Sequence, residues 1–196
     1  MLHALGHSHP YKRKRDRSKM THSLSSDVVV RNRAILLLLL DTGLRASELC
    51  RLRVGDVNLR NRKLKVMGKG AKERILPFSP NTGTALWRYL ASQGKDRKSP
   101  GRPLFTTAHG QPMTRVNLYH IIQRIGSRAG VKDATVHRFR HTYSIQYLRN
   151  KGNPYALQMS LGHSTMEMTR RYLALAEADL DAEHQVASPV ANWDLR

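Results

Sequence analysis

The longest apolar run in this chain, Ala34 to Leu40, sets the first constraint on its fold. It falls far short of the ~20 residues needed to cross a bilayer, so it predicts a buried helix. Asp27 is a plausible N-cap for that helix and Thr42-Gly43 breaks it, with a second helix starting immediately afterwards. Arg45 falls in the first turn of the second helix, beside backbone N–H groups that lack an intrahelical partner. That is a good place to meet an anion.

The stretch from Val54 to Phe78 changes character. Val54 to Leu59, Lys63 to Val66 and Glu73 to Phe78 read as three short strands, joined by a basic turn and by Gly68-Lys69-Gly70-Ala71-Lys72. Lys69 is expected at the hairpin tip. Further helices are predicted at about 82–92, 114–129, 135–150, 154–161 and 165–187, between Gly and Pro signals. Asn153-Pro154 supplies an N-cap followed by Pro at the first helical position. Ser164 and Glu167 have capping-box spacing, which puts Tyr172 about two turns into the last helix with His163 just before its start. No internal repeat of roughly 20 to 50 residues is visible.

Lys and Arg number 34 against 14 Asp and Glu, a formal charge of +20 on 196 residues. The length fits one domain with a real core, and the charge points to a polyanionic partner. Nucleic acid is the first candidate and a membrane surface the competitor. The single Cys50 excludes an internal disulfide and a cysteine zinc site, and fits a reducing cytoplasm. No apolar segment of the kind a secretory signal needs follows the basic start. Residues 1–24 include His3, His7, His9, His22 and the run Lys12-Arg13-Lys14-Arg15-Asp16-Arg17, with little to bury. They are expected to form a mobile tail, either a basic arm that lies on phosphate or a remnant. Nothing fixes His3, His7 and His9 in the geometry a metal would require.

His137 and Arg140 are three positions apart, so on one helix they share a face and can contact one phosphate. His141 follows His137 by one turn, but no Glu occupies the metalloprotease position between them, and no metal is expected. Taken singly, each candidate has an ordinary structural reading: His137 as a hydrogen-bonded helix-start residue, Arg140 and Arg45 as solvated cations, Lys69 as a turn lysine. Tyr172 reads equally as a core tyrosine, and the pattern alone does not choose among it, Tyr143, Tyr147 and Tyr155. Glu48, one turn after Arg45, can orient its guanidinium. Lys69, charged at neutral pH with a pKa of ~10.4, can act as a proton donor, with Lys72 as its rival. As an ordered set these groups suit covalent chemistry on a phosphodiester. A phenol attacks phosphorus while cations neutralise the charge on the non-bridging oxygens.

From about Asp27 to about Ala187 the chain resembles the catalytic domain of the tyrosine recombinase or phage integrase family, Xer-like in its motifs. The resemblance rests on Thr42-Gly43-Leu44-Arg45-Ala46-Ser47-Glu48-Leu49, Gly68-Lys69-Gly70, His137-Arg138-Phe139-Arg140-His141-Thr142 and Leu161-Gly162-His163 followed by Arg171-Tyr172. It places the family's Arg, Lys, His-x-x-Arg, His and Tyr on Arg45, Lys69, His137, Arg140, His163 and Tyr172. It implies an α+β fold, mostly helical, around a small three-stranded antiparallel sheet, that of the DNA breaking-rejoining enzymes. It also implies transesterification of double-stranded DNA without metal, nucleotide or other cofactor. Tyr172 would form a 3′-phosphotyrosyl link and release a 5′-hydroxyl, with His137 taking the phenolic proton. Arg45, Arg140 and His163 would hold the phosphoryl oxygens, and Lys69 would protonate the leaving oxygen.

The family pattern departs at the N-terminus, where only a short basic tail stands in place of the usual core-binding domain. The resemblance further implies a DNA-paired tetramer, docked through the C-terminal helix before Ser188-Pro189 and a tail over 188–196, in the cytoplasm at the nucleoid. A helix packed on its own domain is the alternative for that segment. The competing functions are a type IB topoisomerase, which rejoins the original strand, a DNA-binding module without catalysis, and an RNA-binding protein. Product connectivity separates the first from strand exchange. The ordered polar set argues against the other two.

Overall fold

The computed structural model describes residues 26–68, 72–94, 99–163 and 165–176. The chain divides into two compact units between Tyr143 and Ser144.

The first unit is built on α1 (Ser26–Thr42), in which Ala34, Ile35, Leu36, Leu38 and Leu39 are all buried. A helix apolar on more than one face has to be enclosed rather than half-solvated, and α1 packs against α3 (Pro80–Ser92). Between them in sequence come α2 (Ala46–Arg51), β1 (Val57–Asn58), β2 (Lys63–Met67) and β3 (Glu73–Pro77). Then follow α4 (Arg115–Arg128), which contacts α2, and the start of α5 (Val136–Arg149), whose last residues from Ser144 on belong to the second unit. Ser79 caps α3 through Thr82 N–H, and Thr114 caps α4 through Asn117 N–H at 3.1 Å. Such caps are each worth about 1 kcal/mol.

The strands form one antiparallel sheet in the order β1-β2-β3. Leu64 pairs with Leu76 and Val66 with Arg74, so Leu64, Val66 and Leu76 share the buried face while Met67 and Ile75 lie exposed. This is the helix-and-small-sheet architecture the sequence led us to expect. The first strand is shorter than predicted, because Val54–Asp56 forms a 3-10 turn. Val54 and Gly55 N–H donate to the carbonyls of Arg102 and Pro100, while the Asp56 carboxylate accepts from Arg53 N–H. With those groups engaged, only Val57 and Asn58 pair with β2.

The second unit contains α6 (Pro154–Leu161) and α7 (Glu167–Ala176), which pack together. Asn153 caps α6 through the N–H groups of Tyr155 and Ala156, with Pro154 at its first position. Helix α7 starts at Glu167, so Tyr172 lies about one and a half turns in rather than two, and His163 is not adjacent to the start. Ser164 and the predicted continuation over 177–187 lie outside the described residues, as do residues 1–25. Among the described residues, no helix is long and apolar enough to cross a membrane.

One buried carboxylate ties the sheet to α2. Glu48 accepts from Arg74 at both oxygens, at 3.0 and 2.9 Å, and from Arg45 through Nη1 at 3.1 Å and the backbone N–H at 2.9 Å. Burial alone would raise the Glu48 pKa. The hydrogen bonds from Arg74 and Arg45 and the attraction of both guanidiniums outweigh it, so the carboxyl sits below its ordinary value of 4.5. A depressed carboxyl adds stability that is complete above its unfolded pKa and is lost as pH falls through the lower folded value. Glu48→Gln should therefore lower stability by about 1–3 kcal/mol at neutral pH. The gap in thermal midpoint to the parent should narrow as the solution is acidified below that ordinary value. A gap independent of pH would show that the carboxylate charge contributes nothing.

Candidate active site

Left-handed glycines at the ends of α1 and α6 each deliver a candidate residue. At the end of α1, Gly43 takes φ 61° and its N–H returns to Leu39 O at 3.1 Å. A residue with a Cβ is strained in that conformation, so glycine stops the helix and turns the chain. Two residues later Arg45 occupies the N-cap position of α2, one place before the first turn in which it was expected. Its backbone N–H is taken by Glu48, whose carboxylate also grips its Nη1, and its side chain remains 40% exposed. The guanidinium is thus gripped at Nη1 while part of the side chain meets solvent.

Arg140 reaches the same turn from α5. Its Nη1 donates to Gly43 O at 2.8 Å, across 97 residues of sequence, and the side chain is buried. The turn that presents Arg45 therefore also anchors Arg140. His137 lies on α5 three residues before Arg140, in the first turn, and is exposed. The structure places these two at the predicted helical spacing but in different surroundings, one at the surface and one inside.

Arg74 was not singled out from the sequence. Its signal is its phase in β3, where it alternates with Leu76 on the inward side while Ile75 points out. An inward arginine on a short strand needs an acid, and Glu48 is that acid. Arg74 pairs with Val66 across the sheet, and β2 and β3 stay in register to Met67 opposite Glu73. The 68–72 connection is closed by Gly68 N–H to Lys72 O at 2.9 Å, with Lys65 and Glu73 paired at 3.5 Å. Lys69 falls in this connection but lies outside the described residues, whereas its rival Lys72 is exposed.

In the second unit the glycine device recurs. Gly162 takes φ 62° after α6, its N–H meeting Met159 O while His163 N–H meets Gln158 O, the two bonds of a Schellman ending. His163 is fixed by its backbone at that point and is buried. Its Nδ1 lies 3.3 Å from Thr169 Oγ1, and its ring is near-parallel to that of Tyr172, with centroids 6.4 Å apart. Thr169 and Tyr172 stand three apart on α7 and are both buried, so one helix face meets the histidine twice. Thr169 was also missed, since a threonine between Met168 and Arg170 carries no signal until His163 is seen beside it.

Chemically, the first unit offers two arginines fixed through one turn and one carboxylate, and the second a histidine and a phenol fixed on one helix face. Such groups can bind an oxyanion and present a nucleophile. A cleft of about 530 Å³ near Glu48 is lined by Cys50, Arg51, Lys65 and Glu73 but by none of Arg45, His137 or Arg140. Its mixed charge does not suit a phosphodiester. Burial raises the Cys50 thiol above its ordinary pKa, with Arg115 partly opposing, which leaves it a weak nucleophile. Among the described residues, no three His, Cys, Asp or Glu side chains gather as metal ligands.

Residues 15–179 match the model of the Phage integrase family. The tyrosine recombinase XerD of Staphylococcus haemolyticus is 34% identical over 163 residues, spanning 82% of this chain and 55% of that protein. XerD of Pseudomonas putida is 37% identical over 163 residues, spanning 81% of this chain and 54% of that protein. The chain thus spans about half the length of these relatives. In structure it is similar to the XerA recombinase, with a TM-score of 0.65 at 28% identity, covering 80% of this chain and 57% of that one. The catalytic domain of bacteriophage HP1 integrase gives a TM-score of 0.58 at 28% identity, covering 82% of this chain and 83% of that one. The Tn1549 transposon integrase, solved in complex with transposon right end DNA, gives a TM-score of 0.67 at 26% identity, covering 85% of this chain and 61% of that one. The motif order, the fold and these similarities agree, and the chain belongs to the phage integrase family.

Proposed function

We propose that this chain cleaves and rejoins double-stranded DNA at specific sites through a 3′-phosphotyrosyl intermediate on Tyr172. The observation that supports this most is the meeting of Arg45 and Arg140 at the Gly43 turn, because a phosphoryl group needs cations placed before the reaction begins. The Tyr172 phenol oxygen forms a bond to phosphorus as the bond to the 5′-oxygen breaks. The phenolic proton passes to His137, since a phenol of pKa ~10 holds its proton at neutral pH. Arg45, Arg140 and His163 hold the non-bridging oxygens, and Lys69 delivers a proton to the departing 5′-oxygen. In the second step a 5′-hydroxyl attacks the phosphotyrosine and Tyr172 leaves. The bond energy is conserved, so no nucleotide is consumed.

Residues 25–187 are the catalytic domain in this reading, with 1–24 a basic arm along the phosphates and 188–196 a tail. The helix after Tyr172 would join protomers into a tetramer on paired sites, at the nucleoid. That the similar Tn1549 integrase is solved in complex with transposon right end DNA supports DNA as the partner, and the charge of +20 supports a polyanion.

Tyr172→Phe should abolish covalent attachment to a nicked duplex while leaving affinity nearly unchanged, because it removes one oxygen and no cation. An adduct that persisted would shift the assignment to Tyr143, Tyr147 or Tyr155. Arg45→Ala should slow cleavage by about 10²- to 10³-fold at saturating DNA. Exchanged strands, rather than relaxed circles alone, are the expected products.

Lys69→Ala should fail on ordinary DNA and recover when the 5′-bridging oxygen is replaced by sulfur, a leaving group that needs little protonation. Arg45→Ala should not recover. Equal rescue of both variants, or of neither, would remove Lys69 from the acid role, and Lys72→Ala in the same assay would show whether Lys72 holds it.

A further inference from the structure

Arg31, on α1, is buried at 7% exposure, and the proposed reaction does not use it. Its Nη1 donates to Thr106 O at 2.9 Å, and its Nε and Nη2 donate to Asn32 Oδ1 at 3.1 and 2.9 Å. All of these acceptors are neutral, and among the described residues no carboxylate lies within ion-pair distance. Burial pulls the guanidinium below the ordinary arginine value, with the Tyr89 phenol opposing. An arginine stays protonated nonetheless, so a buried positive charge remains unbalanced.

Arg31 also lines a cleft of about 370 Å³ in the first unit, together with Thr107, His109, Asn117, His120 and Arg124. The remaining lining residues are Ala108, Met113 and Ile121, so every ionisable group facing the cleft is an arginine or a histidine. Asn117, His120 and Arg124 follow one another at intervals of three and four on α4 and therefore share a face. His109 is in the turn closed by Thr107 N–H to Gln111 O at 2.8 Å and Gly110 N–H to Thr107 O at 3.1 Å. Arg31 holds the base of that turn through Thr106. None of the candidate active-site residues lines this cleft.

We propose that the cleft between the 106–111 turn and α4 is a phosphate-binding site, in which Arg31 supplies a fixed charge and Arg124, His120 and His109 close over the oxyanion. A phosphate suits it better than a carboxylate. It has more acceptor oxygens for the guanidinium forks, the imidazoles, the Thr107 hydroxyl and the Asn117 amide. A phosphodiester of a DNA duplex and free inorganic phosphate share this chemistry, and the test below separates them. The DNA source rests on the strand-cleaving reading above. The site itself does not.

The test uses the full chain and an Arg124→Gln, His120→Gln double variant, both positions being exposed, so that the fold should survive. Inorganic phosphate is titrated while the His and Arg side-chain ¹⁵N signals are followed, and duplex binding is measured against salt. The site predicts saturable shifts at Arg31 and His120 in the parent, and at Arg31 in the variant a Kd for phosphate at least about tenfold weaker, a loss of about 1.4 kcal/mol or more. If the duplex supplies the phosphate, the log–log salt slope also falls by about 0.9 in the variant. The phosphate response with an unaltered slope identifies free phosphate as the ligand. The absence of both overturns the site, and because the titration contains no DNA, a failure of strand cleavage leaves this result intact. Cleavage at saturating DNA should be unchanged in the variant. A slower rate there would move these residues into the reacting centre and overturn the proposal in another way.

Discussion

The structure of the first unit turns on a single buried carboxylate. Glu48 is 5% exposed at its side chain and holds two arginines, Arg74 on β3 at 14% and Arg45 at the start of α2 at 40%. A buried carboxylate without partners would carry a large desolvation penalty, and one shared between forked guanidiniums meets it with directed bonds. The gradient of exposure gives the arginines different parts. Arg74 meets both oxygens of the carboxylate and is largely buried, while Arg45 meets one of them with its side chain and is 40% exposed. The same carboxylate fixes the hairpin whose connection contains Lys69, so the placement of α2 and of the sheet is one problem with one solution.

Glycine supplies the second constraint. Gly43 and Gly162 end their helices in the left-handed region, and an L side chain there would cost about 1–2 kcal/mol. Each turn sets the direction of the following chain within a residue or two, so backbone geometry places Arg45 and His163 before Glu48 and Thr169 engage their side chains. The Gly43 carbonyl is used again, as the acceptor for Arg140. In the second unit Thr169 and Tyr172 both face His163 from α7. Rigid elements positioned in this way are what electrostatic stabilisation of a charged transition state requires, since groups that must reorganise during the reaction contribute less.

Local features were legible in the sequence and distant pairings were not. The apolar run after Asp27, the Asn153-Pro154 start and the glycine breaks led to most of the helices, because propensity and capping act within a few residues. The strand expected over Val54–Leu59 is shorter in the structure: the Val54 and Gly55 N–H groups are claimed by Arg102 and Pro100, distant carbonyls that no local pattern reveals. The Arg45 and Glu48 pair is visible as a spacing of three. Arg74 is 26 residues from Glu48, and Arg140 is 97 from Gly43, so neither contact can be read from spacing. The ordered set Arg45, Lys69, His137, Arg140, His163 and Tyr172 came from resemblance to the family, which carries nonlocal information that composition and periodicity lack.

The central claim is that Glu48 makes Arg45 and the β2–β3 hairpin ready for a phosphoryl group before DNA arrives. Its most direct test is the single-turnover cleavage rate of Glu48→Gln at saturating nicked duplex, well below the unfolding transitions of parent and variant. The account predicts a fall of about 10²-fold with DNA affinity nearly unchanged, the loss expected from misplacing reacting groups by about 1 Å. Equal rates in parent and variant would contradict it.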